Sequence, residues 1–200
     1  MNKRTLPKKT ILAVNVAIAF LIIGCQVFSS SSATSTLELI PLSGVDLSWA
    51  AIQLDELPSD LDLIPSSNIS NVDDMKVYRD YDLVYTNLVK AQYTGFSTED
   101  RRLFYGNGIF VYADTSATIQ AFEQISGGWT AEPKTVRNLG DYALVLNMES
   151  DMLPAITIMW RYQEALVYLN IQSRDYPILS LNEVIQNARN VQPRLEQRTP

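Results

Sequence analysis

The sequence contains no histidine, which excludes several common kinds of active site. Ser-His-Asp and Cys-His triads, histidine zinc sites and the usual histidine general bases all require an imidazole. The only cysteine is Cys25, so neither a disulfide within the chain nor a thiolate cluster around zinc or iron–sulfur can form. We therefore expect neither a metal nor another cofactor.

Positive charge is scarce beyond the first 24 residues. Those residues hold four cations and no acid, and the remainder sets 12 Lys and Arg against 22 Asp and Glu, a net charge of −10. Phosphate backbones are bound by clustered Lys and Arg. The composition therefore argues against nucleic acid as a partner.

The first 25 residues fall into three parts. Residues 1–9 are basic, residues 11–23 are apolar apart from Asn15, and Gly24-Cys25 follows. At about 1.5 Å per residue, the apolar helix would cover roughly 20 Å, less than the ~30 Å hydrocarbon core of a bilayer. The pattern predicts a signal peptide over residues 1–24. The alternative is an uncleaved signal anchor with an inert Cys25.

The end of this stretch, Ile22-Ile23-Gly24-Cys25, resembles the lipobox of bacterial lipoproteins, which signal peptidase II processes. The resemblance implies cleavage before Cys25, diacylglycerol on its sulfur and often a further acyl chain, such as palmitate, on the new amino terminus. We therefore expect a lipid-anchored protein on the extracytoplasmic face of the cell membrane. In a diderm bacterium, Gln26 after the cysteine favours the outer membrane.

The remaining chain divides into a tether and one domain. Residues 29–36 are Ser, Thr and Ala only, and such a run is too polar and flexible to pack. We assign residues 25–44 to a lipidated, Ser-rich tether and residues 45–200 to a single folded domain. A domain of about 150 residues is large enough for its own hydrophobic core.

The domain alternates between helical and strand patterns. We predict a helix from Ser70 or Asn71, a helix capped by Asp114 or Thr115, and a closing helix capped by Ser180 that Pro193 bends or ends. We predict strands over residues 51–54, 103–113, 142–148, 155–161 and 165–172, and a bulge or a tight turn at Gly106-Asn107-Gly108. The first helix has Met75, Tyr78, Tyr81, Tyr85, Leu88 and Val89 on one face, and residues 89–96 either end this helix or already form a strand. The order predicts an α+β fold, an antiparallel sheet with helices packed mainly on one face.

Several short motifs resemble a loose group of secreted or lipid-anchored bacterial α+β domains. This group includes the extracellular sensor-like domains of some mycobacterial proteins and the PsbP-like fold. The motifs are Leu57-Pro58, Val111-Tyr112, Leu139-Gly140-Asp141-Tyr142 and Ile158-Met159-Trp160-Arg161, before a closing helix. The resemblance spans residues 45–197, and what it implies is the fold.

Aromatic residues offer one candidate binding groove. The groove would be lined by Tyr78, Tyr81, Tyr85, Trp160 and Arg161, with Tyr105, Tyr112 and Tyr162 nearby. Such a groove stacks on a sugar, a peptide or an apolar ligand. The alternative is that the rings fill the core between helices and sheet and that Arg161 is an ordinary surface residue of the sheet.

No catalytic motif stands out. Asp60-Leu61-Asp62 lacks the glycine and the distal Glu of a calcium loop, and Gly106-Asn107-Gly108 fits no phosphate-binding spacing. We predict a non-enzymatic module of the cell envelope that binds a small ligand or an envelope protein. The alternatives are an envelope glycan hydrolase with paired carboxylates and a structural or assembly subunit.

Overall fold

The computed structural model of the chain describes residues 40–75, 84–148, 154–174 and 180–197. The predicted signal peptide, Cys25 and the Ser-rich run lie outside these residues. The folded part begins before the predicted boundary at residue 45. Leu42, in a short 3-10 turn at Leu42–Gly44, is completely buried in the core, so the last residues assigned to the tether belong to the domain.

One antiparallel sheet of seven strands organises the described part of the chain. Its spatial order is β1-β2-β3-β7-β6-β5-β4, and every neighbouring pair is antiparallel. The strands are β1 Asp62–Leu63, β2 Leu88–Ser97, β3 Leu103–Tyr112, β4 Lys134–Val136, β5 Tyr142–Met148, β6 Ala155–Tyr162 and β7 Ala165–Ser173. The predicted α+β class with an antiparallel sheet is confirmed.

Three α-helices complete the described fold, and each begins where the sequence predicts. They are α1 Val72–Met75, α2 Thr115–Gly127 and α3 Leu181–Gln197. The Asn71 side chain accepts the Asp74 N–H at 2.8 Å, and the Asp114 carboxylate accepts the Ala117 N–H at 2.8 Å. Ser180 and Glu183 form a reciprocal cap.

Helices cover both faces of the sheet. α1 and α2 pack on one face, through Met75, Ala121 and Phe122, while α3 packs on the other. Most of the described helices thus share a face, as predicted, but the longest lies alone on the opposite one. α3 continues through Pro193 to Gln197, because Val191 and Leu195 are both fully buried and hold the helix to the sheet. Of the two predicted effects of Pro193, an end of the helix at this residue is not observed.

The Gly106-Asn107-Gly108 segment forms neither the predicted bulge nor a turn, because β3 pairs with β2 without interruption there. A Cβ on Gly106 would collide with the hydroxyl of Tyr93, whose ring lies across the strand. Asn107 points to the opposite face, where its amide oxygen accepts the Ile52 N–H at 3.0 Å and its amide nitrogen donates to the Tyr168 carbonyl. The glycines therefore make room for a ring inside a continuous strand.

Two other predictions differ from the structure. The predicted strand over residues 51–54 is instead a bend that leads into a 3-10 turn at Leu54–Glu56, and the first strand is β1. The helical face predicted from Met75 to Val89 falls partly outside the described residues, and its last members belong to β2. Neither of the short strands β1 and β4 lies at a position that the sequence predicted.

Candidate functional site

Those of the predicted groove residues that the structure describes are not brought together. Tyr78 and Tyr81 lie outside the described residues. Tyr85 is partly buried against the α1 and α2 face, and its hydroxyl donates to the Met75 carbonyl at 3.0 Å. Trp160 is fully buried on the other face, so it is a core residue and cannot line an open groove.

Trp160 and Arg161 are neighbours in β6, and strand geometry directs them to opposite faces of the sheet. Trp160 lies beneath α3, where its indole N–H donates to the Gln192 side chain at 2.9 Å. Arg161 lies on the α2 face and lines a groove there. Of the residues predicted to line the groove, Arg161 therefore lies in an open site on this face.

We call this site the Arg161 groove. It has a volume of about 390 Å³ and lies between α2 and strands β5 and β6. Its lining residues are Ile119, Phe122, Glu123, Ser126, Tyr142, Leu144 and Arg161. The four from α2 recur at helical spacing, so one face of the helix forms one wall.

The guanidinium of Arg161, the cation of the groove, lies over an aromatic ring. The Arg161 guanidinium carbon lies 6.0 Å from the centre of the Tyr142 ring, at the limit of a cation–π contact. Tyr142 meets Phe122 edge to face, with ring centres 5.5 Å apart. Among the described residues, the guanidinium forms no ion pair and no hydrogen bond. Arg161 thus presents free donors beside an apolar floor.

The backbone next to this arginine is held by the Leu139-Gly140-Asp141-Tyr142 motif. The Arg161 carbonyl accepts the Asp141 N–H at 2.8 Å, and the Asp141 carboxylate accepts the Gln163 N–H at 2.8 Å. Gly140 has a φ of +54°, and a Cβ there would lie 2.9 Å from Cδ1 of Trp160 and closer still to the Arg161 carbonyl oxygen. Only glycine fits this position without strain. The motif therefore fixes the backbone of β6 next to Arg161.

The groove also carries one acid. Glu123 is an exposed residue of α2, and its backbone carbonyl accepts the Ser126 hydroxyl at 3.4 Å. The Arg161 guanidinium favours a ligand with one anionic group, and the exposed Glu123 carboxylate opposes a second one. The apolar floor of Phe122 and Leu144 favours a body that is hydrocarbon or aromatic.

A second groove, of about 450 Å³, lies at the start of α2 and contains two carboxylates, Asp114 and Glu164. Each has a structural role: Asp114 caps α2, and Glu164 accepts the Leu42 N–H at 2.9 Å. Nearby, burial raises the pKa of Tyr112 well above its ordinary value, and the Tyr112 hydroxyl donates to the Val84 carbonyl. Within the described ranges, no three Asp, Glu or Cys residues form a group suited to a metal.

The geometry defines a class of protein domain, an antiparallel α+β sheet with a helix-walled groove. No protein-family profile matches the chain, and no curated protein of similar sequence is found. The chain is similar in fold to the extracellular domain of PknH from Mycobacterium tuberculosis, with a TM-score of 0.55 and 10% sequence identity. The match covers 75% of this chain and 94% of that one.

This likeness concerns the fold alone, and it agrees with the predicted resemblance to extracellular sensor-like domains of mycobacterial proteins. Within the part of the chain that the structure describes, no helix has the length and apolar character needed to cross a membrane.

Proposed function

We propose that the chain is a lipid-anchored, extracytoplasmic binding module without enzymatic activity, and that its Arg161 groove takes an apolar ligand with one carboxylate. The lipobox-like sequence before Cys25 supports the anchor and the cellular location. The fold likeness to an extracellular domain supports a role in sensing or interaction at the cell envelope. The ligand is either a small molecule or the carboxylate-bearing end of an envelope protein.

The observation that carries the ligand class is the free guanidinium of Arg161 over the Tyr142 ring. A partly desolvated guanidinium is stabilised by a charge-assisted, bidentate hydrogen bond to a carboxylate. A hydrocarbon group that covers the adjoining side chains of Phe122, Leu144 and Ile119 makes the free energy of binding more favourable. A ligand with a carboxylate and a hydrocarbon body makes both kinds of contact in the groove.

The test uses two probes of nearly equal shape, 3-phenylpropionate and its uncharged amide, titrated into the full chain by NMR. We expect the carboxylate to bind more tightly than the amide by about tenfold or more, since a hydrogen bond to a charged group contributes roughly 1.5–3 kcal/mol. Arg161→Gln is expected to abolish this preference. Arg137→Gln, an exposed arginine elsewhere, is the matched control. Equal binding of both probes by the unaltered chain would contradict the ligand class.

The anchor has its own test. Cys25→Ser is expected to abolish metabolic labelling with a palmitate analogue and to leave the chain unprocessed or unanchored. Labelling that persists unchanged in the variant would overturn the anchor. In a diderm host, fractionation of the labelled protein tests the expected outer-membrane location.

A further inference from the structure

A further open groove lies on the face of the sheet opposite to the Arg161 groove, and we call it the Trp49 groove. It measures about 320 Å³. Its floor is formed by Gln92, Thr94 and Phe96, alternate residues of β2 that share one face. Its walls are Ser48, Trp49, Ile52, Gln53 and Leu54 on one side and Leu63 and Asn68 on the other.

Every side chain that lines this groove is uncharged. A charged ligand therefore finds no partner for its charge, and desolvation disfavours its entry. A ligand without polar groups would cover the amides and hydroxyls of the floor without replacing their hydrogen bonds to water. The lining therefore fits a neutral ligand that combines an apolar surface with hydroxyl groups.

One buried amide in the floor has an unused acceptor. Gln92 is 4% exposed, and its amide nitrogen donates to Asn68 Oδ1 at 3.1 Å and to Thr94 Oγ1 at 3.3 Å. These two bonds use both amide hydrogens. The Gln92 amide oxygen accepts no hydrogen bond from the described residues. A ligand hydroxyl in the groove would donate to it.

The wall supplies a flat apolar surface. Trp49 is partly exposed, packs on the core below and lines the groove. Its indole N–H is shielded from solvent and has no acceptor among the described residues, so hydrogen bonding does not place the ring. Leu54 and Leu63, 45% and 41% exposed, stand at the rim and extend this surface. An aromatic face beside amides is a suitable surface for stacking against a sugar ring.

The wall is also fixed before any ligand arrives. The Arg194 guanidinium of α3 donates to the Ala51 carbonyl at 2.9 Å and pairs with Glu56. Gln53 donates its amide to the Ser48 and Ala51 carbonyls, and the Ile52 N–H is held by Asn107. A wall that is already ordered costs less conformational entropy on binding.

We propose that the Trp49 groove binds an uncharged sugar ring, which stacks on Trp49 and donates a hydroxyl hydrogen bond to Gln92. This site is separate from the Arg161 groove and does not depend on the function proposed for it. Titration of the full chain in a sugar-free detergent, with cellotriose as the probe, tests the proposal. The change in tryptophan fluorescence and in NMR signals reports binding.

We expect cellotriose to bind and Trp49→Ala to weaken binding by several-fold to about tenfold, the range that the loss of one aromatic contact covers. Trp129→Ala removes an indole from the opposite face and is the matched control. Leu54→Asp alters an exposed rim residue, so folding is not at risk, and we expect it to weaken binding several-fold.

Three outcomes would overturn the proposal. They are no binding of cellotriose to the folded chain, binding that Trp49→Ala and Leu54→Asp leave unchanged, and a preference for a carboxylated sugar over the neutral one. Cosedimentation with insoluble cellulose distinguishes a glycan chain from a free sugar as the ligand. Retention on the polymer in excess of trimer binding identifies a glycan chain, and binding of the trimer alone identifies a free sugar.

Discussion

The two faces of one sheet carry grooves of contrasting chemistry. The Arg161 groove lies beside a regular helix and holds one cation and one anion, while the Trp49 groove lies beside an irregular segment and holds no charged side chain. The helix presents polar residues such as Glu123 at its solvent side. The irregular segment uses its polar groups on its own backbone, as Gln53 does. The charge difference therefore comes from both layers: β6 supplies Arg161 and α2 supplies Glu123 in one groove, whereas β2 and the irregular segment supply only uncharged side chains in the other.

Gly140→Ala has the largest expected effect and acts first on the strand that carries Arg161. We expect it to lower the free energy of unfolding by about 2–4 kcal/mol, because a positive φ and a collision with the Arg161 carbonyl both oppose a side chain. Thermal unfolding measures the loss. Gly127→Ala is the control, since nothing lies within 4 Å of a Cβ there. An equal loss in both variants would contradict the role assigned to Gly140.

Arg194→Met acts on the Trp49 groove. It removes the bonds from α3 to Ala51 and Glu56, so we expect a loss of about 1–2 kcal/mol in stability and weaker binding of cellotriose. Binding of 3-phenylpropionate is expected to stay unchanged, because the Arg161 groove lies on the opposite face. Arg189→Met, in the same helix, is the matched control. A loss of both ligands in the Arg194 variant would show that the two grooves are not independent.

The elements that the sequence predicted well are those set by local chemistry. Asn71, Asp114 and Ser180 each cap a helix through a partner three residues ahead, and such a signal is complete within a few residues. The Gly106-Asn107-Gly108 segment was wrongly predicted as a bulge or turn because its cause is distant. Tyr93, in the preceding strand, occupies the space that the glycines leave.

The candidate sites were harder to predict. Trp160 and Arg161 are adjacent in a strand, so the alternation of side chains already excluded a single groove that contains both. The Trp49 groove left no signal in the sequence, because its three parts, residues 48–54, 63–68 and 92–96, come together only in the fold. Sequence patterns show which residues share an element, but the pairing of β2 with its covering segment depends on tertiary contacts.

Acidic pH is expected to weaken cellotriose binding in the Trp49 groove, because Glu56 and Arg194 hold the wall of this groove. Burial raises the pKa of Glu56, but hydrogen bonds from Arg194 and from the Gln53 N–H outweigh it, so this pKa lies below the ordinary value of 4.5. The stabilisation from Glu56 is therefore present above that value and is lost as the pH falls through the lowered pKa. Cellotriose affinity should decline over this acidic range, and less so in Arg194→Met. A pH profile that is the same in both proteins would contradict this assignment.

Salt produces the smallest expected effect and separates the two grooves without any mutation. Raising NaCl from about 0.1 M to about 1 M shortens the Debye length from about 10 Å to about 3 Å. Arg161 is partly exposed, so its attraction for a carboxylate is screened, and 3-phenylpropionate should bind a few-fold more weakly at high salt. The amide probe and cellotriose carry no charge and should bind equally at both concentrations. An equal loss for all three probes would mean that salt acts on the fold rather than on the guanidinium.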